Sequence, residues 1–301
     1  MSDSTSTTGA DGQVPAPFVV GAGGSGTTTL RLMLDSHPQL AVPPETHFLP
    51  TLARRADKPG ATAASLATVI HGDPRWGDFG FTREELEEVI SSVEPLTGTG
   101  VARAFYRRYA DRHGKPRWGD KTPVYVKSMR RIQRLLPEAY FIHLIRDGRD
   151  VRLSRLNRVH EPPPIENAAR RWRRRIERAR RISADLNHYM EARFEDLIMD
   201  PEPTLRRICE FVSLDYDPVM LDYWKSAEDR LQEMAHNLPA EHNQKRRPGT
   251  RLERKKSSMK PPDPSMVGKW KSALSEEDIA TYEAESGELL AELGYEVGTI
   301  S

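Results

Sequence analysis

The stretch from Pro17 to Leu34 constrains this chain more than any other. Pro17-Phe18-Val19-Val20 is a short apolar run, Gly21-Ala22-Gly23-Gly24-Ser25-Gly26 is built of small residues, and Thr27 to Leu34 has helical spacing closed by His37-Pro38. Strand, glycine loop and helix follow in that order. Small residues let successive backbone N–H groups converge on an anion at a helix N-terminus, and Thr27 and Thr28 add hydroxyl donors. The loop fits G-x-G-x-x-G, with Glu45 about where a dinucleotide fold places its ribose acid. Against that, Thr27-Thr28-Thr29 puts hydroxyls where close helix packing calls for small or apolar side chains. The loop also occupies the frame G-x-x-x-x-G-K-[ST], but Thr27 stands where an ATPase has its lysine, so triphosphate hydrolysis is not expected. A tight turn without any ligand is the plain alternative.

The rest of the chain alternates in the same way. Tyr140-Phe141-Ile142-His143-Leu144-Ile145 is continuous and apolar enough for a buried parallel strand. It runs into Arg146-Asp147-Gly148-Arg149-Asp150-Val151, with Ser154 eight residues after Arg146. A guanidinium gives bidentate, charge-assisted bonds to a phosphate, and a hydroxyl one helical turn in adds another. The competing reading is a salt-bridge cluster of Asp147 and Asp150 with Arg149 and Arg152. Residues 49–114 are mostly helical, with a capping box at Thr82 and Glu85. Residues 116–122 carry a possible strand, 126–136 a helix, 166–187 a long helix and 190–194 a short strand. Asp200-Pro201 opens a further helix, residues 226–271 read as a long mobile basic loop, and Ser275 with Asp278 caps the last helix before Gly294. The expected fold is α/β, a parallel sheet with a helical insertion.

Composition narrows the function classes. Hydrophobic residues at 37% and charged residues at 30% suit a globular chain rather than wholesale disorder. The single cysteine, Cys209, excludes an internal disulfide framework and a Cys-cluster metal site. With 45 Lys plus Arg against 44 Asp plus Glu, affinity for polyanions must come from local asymmetry. Eight arginines lie between Arg170 and Arg181; the stripe Ala168, Trp172, Ile176 and Ala179 makes most of them a solvated helix face. Nucleic-acid binding is not expected. No stretch approaches the roughly 20 apolar residues of a membrane span. Met1 to Gln13 lacks an apolar signal core, so residues 1–16 are expected as a disordered tail, 17–301 as one domain, and the location as cytoplasmic.

Beyond these readings, the motifs resemble a family. Ser25-Gly26-Thr27-Thr28, Leu30 and His37-Pro38 resemble the 5′-phosphosulfate loop of sulfotransferases that use 3′-phosphoadenosine 5′-phosphosulfate. Pro43-Pro44-Glu45-Thr46-His47-Phe48 resembles the bacterial and tyrosylprotein-type members. Trp118-Gly119-Asp120-Lys121-Thr122-Pro123, Arg193-Phe194-Glu195-Asp196-Leu197 and Val267-Gly268-Lys269-Trp270 resemble further family segments, so the similarity covers residues 17–295. It implies a P-loop-like central parallel sheet flanked by helices, with residues 52–115 as an acceptor-side helical insertion. It implies sulfuryl transfer to a hydroxyl or amine of a small-molecule or peptide acceptor, without a metal.

By the same resemblance the donor is held by Gly23, Gly24, Ser25, Gly26, Thr27 and Thr28 at one end. Arg146, Ser154 and Phe194 hold the other end. Arg254 and Lys255 join them from residues 241–271, where ten Lys or Arg face three acids. Glu45 is the implied base. Family loops commonly carry Arg or Lys where this chain has Gly24, and Lys121 is the candidate that takes over that charge. His47 and His143 are alternative bases, and His143, inside an apolar strand, reads better as a core histidine. The missing loop cation leaves a non-catalytic nucleotide- or anion-binding protein open, and the glycine frame leaves a dinucleotide-dependent oxidoreductase open.

Overall fold

Every residue of the first strand, β1 (Ala16–Gly21), is buried, as an apolar run in a central parallel position requires. The computed structural model describes residues 13–56, 58–156, 161–233 and 253–298. The glycine loop leads from β1 into α1 (Thr27–Ser36). The short strands β2 (Leu40–Ala41) and β3 (Arg117–Trp118) pair with each other in a separate two-stranded sheet. The main sheet adds β4 (Asp120–Lys121), β5 (Ala139–Ile145) and β6 (Tyr189–Arg193) in the order β4-β1-β5-β6, all parallel.

Alternate residues of the central strands feed two cores. Phe18, Val20 and Phe141 belong to one apolar cluster, while Val19, Ile142 and Leu144 belong to another on the opposite face. The first cluster includes residues of α2 (Leu49–Ala56), α3 (Ala63–His71), α4 (Arg83–Ser91), α5 (Gly98–Arg112) and α6 (Met129–Leu135). Phe48, Phe79, Phe81 and Phe105 meet there edge to face, so residues 52–115 share the core of the sheet. The capping box at α4 forms, with Thr82 and Glu85 each bonding the other's backbone. A 3-10 helix, Pro123–Lys127, precedes α6, so the expected single helix over 126–136 is divided at Ser128.

After β5 come α7 (Gly148–Leu156) and α8 (Ile165–Ser183). Beyond β6 lie α9 (Phe194–Met199) and α10 (Pro201–Phe211). Phe194 thus opens a helix instead of closing a strand. Asp200 makes no side-chain cap bond, and α10 starts on its first-turn proline alone.

The largest departure concerns residues 226–271. Within the described part lie α11 (Ala227–Gln232), 3-10 helices at Glu253–Met259 and Pro264–Met266, and α12 (Trp270–Ala273). None exceeds seven residues, too short to imprint a periodicity, and three of the four are anchored by a buried residue, Leu231, Ser258 or Trp270. The side chains of Arg254 and Lys255 lie outside the described residues, as does most of the expected N-terminal tail. The last helix, α13 (Glu276–Glu292), starts on the Ser275–Asp278 cap and is followed by Gly294 at φ 74°, as its sequence requires.

Candidate functional site

Because β4, β1 and β5 are parallel, their C-terminal ends deliver Lys121, the glycine loop and Arg146 to one edge of the sheet. Open α/β sheets bind ligands there. Gly26 caps α1 at φ 88°, and a Cβ on it would lie 2.2 Å from the Phe194 ring. Only glycine combines that backbone with that approach. The same ring carries the Arg146 guanidinium 4.4 Å from its centroid.

Arg146 joins the second motif to the first. Its Nη1 donates to Gly24 O at 3.2 Å and its Nη2 to Met266 O at 2.6 Å. Its Nε is buried with no partner among the described residues. A Cβ on Gly24 would stand 3.2 Å from Ser154 Oγ. Glycine loop, Arg146, Ser154 and Phe194 therefore form one continuous cradle. The salt-bridge reading of this motif is present as well and shares Arg146, whose Nη2 lies 3.6 Å from Asp150 Oδ2. Arg149 pairs with Asp147 at 2.8 Å and Glu283 at 2.5 Å, and Asp150 accepts the Gly268 and Trp270 N–H groups at 2.9 and 3.0 Å. Asp150 so pins the Val267–Trp270 segment against α7.

Glu45 and Lys121 meet beside this cradle. Lys121 Nζ lies 2.9 Å from Glu45 Oε1, and the lysine side chain is fully buried. Burial pulls the Lys121 ammonium below its ordinary range, and Glu45 opposes that pull. Glu45 Oε2 also faces His47 Nε2 at 3.2 Å and Arg75 Nη2 at 3.4 Å. The pair is fixed from below by a buried hydroxyl network. Thr46 Oγ1 donates to Asp120 Oδ2 at 2.6 Å and Tyr106 OH donates to the same oxygen at 2.9 Å. Tyr125 OH donates to Thr46 O at 2.8 Å, and Thr46 N donates to Thr122 Oγ1 at 2.9 Å. Thr46, next to Glu45, is thereby tied to Asp120 and Thr122, the two neighbours of Lys121. Burial pushes the Asp120 carboxyl up to about 6, against the hydrogen bonds it accepts.

Two alternatives are displaced. His143 sits in the core with Nδ1 2.7 Å from Tyr189 OH, and burial lowers it to about 4, the state of a neutral structural imidazole. A dinucleotide fold requires β2 beside β1, whereas here β1 lies between β4 and β5 and β2 pairs elsewhere. Sequence reasoning missed Arg75 and the Tyr106–Asp120–Tyr125 network. Arg75 and Tyr106 sit in the helical insertion, far along the chain from Glu45, and no local motif marks them. Among the described residues no group of three His, Cys, Asp or Glu could hold a metal ion, and no helix is long and apolar enough to cross a membrane.

Residues 15–218 match the model of a family described as the sulfotransferase family. The chain belongs to that family. Its curated relatives include protein-tyrosine sulfotransferase 1 of Danio rerio, 24% identical over 70% of this chain and 56% of that protein. Protein-tyrosine sulfotransferase A of Caenorhabditis elegans is 27% identical over 69% of this chain and 52% of its own length. The chain spans about half the length of these relatives. Among solved structures, the sulfotransferase domain of the Synechococcus PCC 7002 olefin synthase superposes with a TM-score of 0.64 at 24% identity, covering 94% of this chain and 96% of that one. The sulfotransferase domain from the curacin biosynthetic pathway gives 0.64 at 21% identity, over 95% and 99%. These likenesses establish the sulfotransferase fold.

Proposed function

We propose that the chain transfers a sulfuryl group from 3′-phosphoadenosine 5′-phosphosulfate to a hydroxyl acceptor, a peptide side chain or a small molecule. The observation that carries this reading is the junction at Gly24, where Arg146 and Ser154 meet the glycine loop. The unpartnered buried Nε of Arg146 and the N–H groups at the start of α1 suit the two anionic ends of such a donor. The donor supplies an activated sulfuryl group when bound. Gly23 to Thr28 offer donors to its 5′ end, while Arg146 and Ser154 hold its 3′-phosphate against Phe194.

Glu45 takes the acceptor proton. In the same step a bond forms from sulfur to the acceptor oxygen and the bond from sulfur to the departing phosphate oxygen breaks. Protonation of Glu45 releases Lys121 from its anion, so the ammonium charge becomes available to the oxygen that gains charge. Lys121 thereby takes the part of the loop cation absent at Gly24, and Arg75 is a second cation in reach of Glu45.

Thermal stabilisation by adenosine 3′,5′-bisphosphate, NAD(H) and ATP in parallel tests the donor, with stabilisation by the bisphosphate expected. Stabilisation by NAD(H) alone overturns the reading. Arg146→Ala is expected to weaken bisphosphate binding by about 1.5–3 kcal/mol. Glu45→Gln is expected to keep that affinity and to lower turnover of a labelled donor. Bisphosphate binding without sulfate transfer to any acceptor makes the chain a binding protein instead.

A further inference from the structure

On the face of α7 turned toward α8 lies a cavity of about 460 Å³ whose wall is cationic. Arg152 and Arg155 enter from α7, and Arg171, Arg174, Arg175 and Arg178 from α8, with Lys127 at the mouth. No carboxylate lines it among the described residues. The floor is apolar, made by Val126, Val151, Trp172 and Tyr282.

The arginine run is the solvated face expected of it, with Arg171, Arg174, Arg178 and Arg181 exposed, but part of that face also walls the cavity. Three of the four arginines on the other sides of α8 are paired, Arg170 with Glu285, Arg173 with Glu177, and Arg180 with Glu191 and Glu292, while Arg181 is exposed. The four that face the cavity make no salt bridge among the described residues, although Arg174 lies within electrostatic reach of Glu285. Arg175 is half-buried, and both burial and the neighbouring Arg155 guanidinium pull it below its ordinary range. Asp278 and Glu166 act on Arg152, not on Arg175. Collecting like charges around an apolar floor costs free energy unless an anion sits among them.

Two further observations point to a ligand. Tyr282 lines the cavity, is fully buried, and its hydroxyl has no hydrogen-bond partner among the described residues. The cavity also abuts the donor cradle. Ala22 of the glycine loop lines it, and Arg155 Nη1 is 3.9 Å from a Cβ built on Gly23. Trp172 Nε1 donates to Arg146 O at 3.0 Å, so one residue serves both walls.

We propose that this cavity is a binding site for a small amphipathic anion, separate from the Glu45–Lys121 pair, neither of which lines it. The anion carries a sulfonate, phosphate or carboxylate for the arginines and an apolar, ring-like body for the Trp172 floor. The proposal rests on the arginines and the apolar floor and stands independently of the sulfotransferase reading. Guanidinium forks bind all three oxyanions bidentately, and the volume suits a drug-sized molecule.

The probe is 6-hydroxynaphthalene-2-sulfonate, compared with neutral 2-naphthol, each titrated into the full chain and followed by ligand fluorescence. The sulfonate is expected to bind at least about tenfold more tightly than 2-naphthol at low salt, and to lose that advantage as salt rises. The double variant R174Q/R178Q changes two exposed side chains and leaves the fold alone. It is expected to lose about tenfold in sulfonate affinity, with 2-naphthol and adenosine 3′,5′-bisphosphate unchanged. R175Q is expected to do the same from inside the cavity. Equal binding of sulfonate and naphthol overturns the proposal, as does unaltered sulfonate binding by R174Q/R178Q. A glutamate-rich peptide that displaces the sulfonate at lower concentration than free sulfonate does also overturns it, making the occupant a polypeptide. Failure of bisphosphate binding with sulfonate binding intact removes the donor reading and leaves the anion cavity standing.

Discussion

Thr46 carries more of the site than its chemistry alone suggests. It takes no part in transfer, yet its hydroxyl and N–H bond to Asp120 and Thr122, which flank Lys121, and its carbonyl accepts from Tyr125. Thr46→Val keeps the shape and strips the hydroxyl, leaving buried Asp120 short of a donor. The expected cost is about 1–3 kcal/mol in urea unfolding, with a fall in kcat as Glu45 loses its anchor. Thr46→Ser restores the hydroxyl and is expected to recover both. A Val variant as stable and active as the parent would show that Glu45 is held by its ion pairs alone. Gly26 is constrained twice, by φ 88° and by the Phe194 ring. Gly26→Ala is expected to abolish bisphosphate stabilisation in a thermal-shift assay, and shortening Phe194 alongside it relieves the clash but not the backbone strain.

Among the elements, β5 shows how far local pattern reaches. A continuous apolar run announces a buried parallel strand, and it also marks His143 as a core residue, held neutral beside Tyr189. The imidazole is lowered to about 4 from 6.5 in the folded chain. The unfolded chain therefore takes up this proton near pH 6.5, while the folded chain waits until about pH 4. Stability is lost as pH falls through that window, by up to ~3 kcal/mol. His143→Gln is expected to flatten the pH dependence of the urea midpoint between pH 7 and pH 4.5 relative to the parent; parallel curves would place the proton uptake elsewhere, His113 being the other imidazole lowered to about 4. The short helices between 227 and 273 mark the opposite limit. Leu231, Ser258 and Trp270 become ordered through partners in other parts of the chain, and so few residues cannot show a repeat.

At the scale of the molecule, Arg149 closes the fold. Its fully buried guanidinium joins Asp147 at the start of α7 to Glu283 on α13, donates to Glu296 O, and lies 3.5 Å from the centre of the Trp270 ring. Arg149→Met leaves two buried carboxylates without their cation, and a loss of about 3–5 kcal/mol is expected. A single urea transition at a lower midpoint would agree with one cooperative unit; an unchanged midpoint would refute the role of Arg149. The order of strand, glycine loop and helix, the buried strand β5, and the Arg146–Ser154 spacing were all readable from residues a few positions apart. Such features rest on backbone sterics, side-chain period and local hydrogen bonding, and these act over one turn or one strand. The meeting of Glu45 with Lys121 across 76 positions and with Arg75 across 30, and the gathering of unpaired arginines on one side of α8, were set by the path of the folded chain. A side chain's charge is written in its residue type, but which charges share a cavity depends on strand order and helix packing.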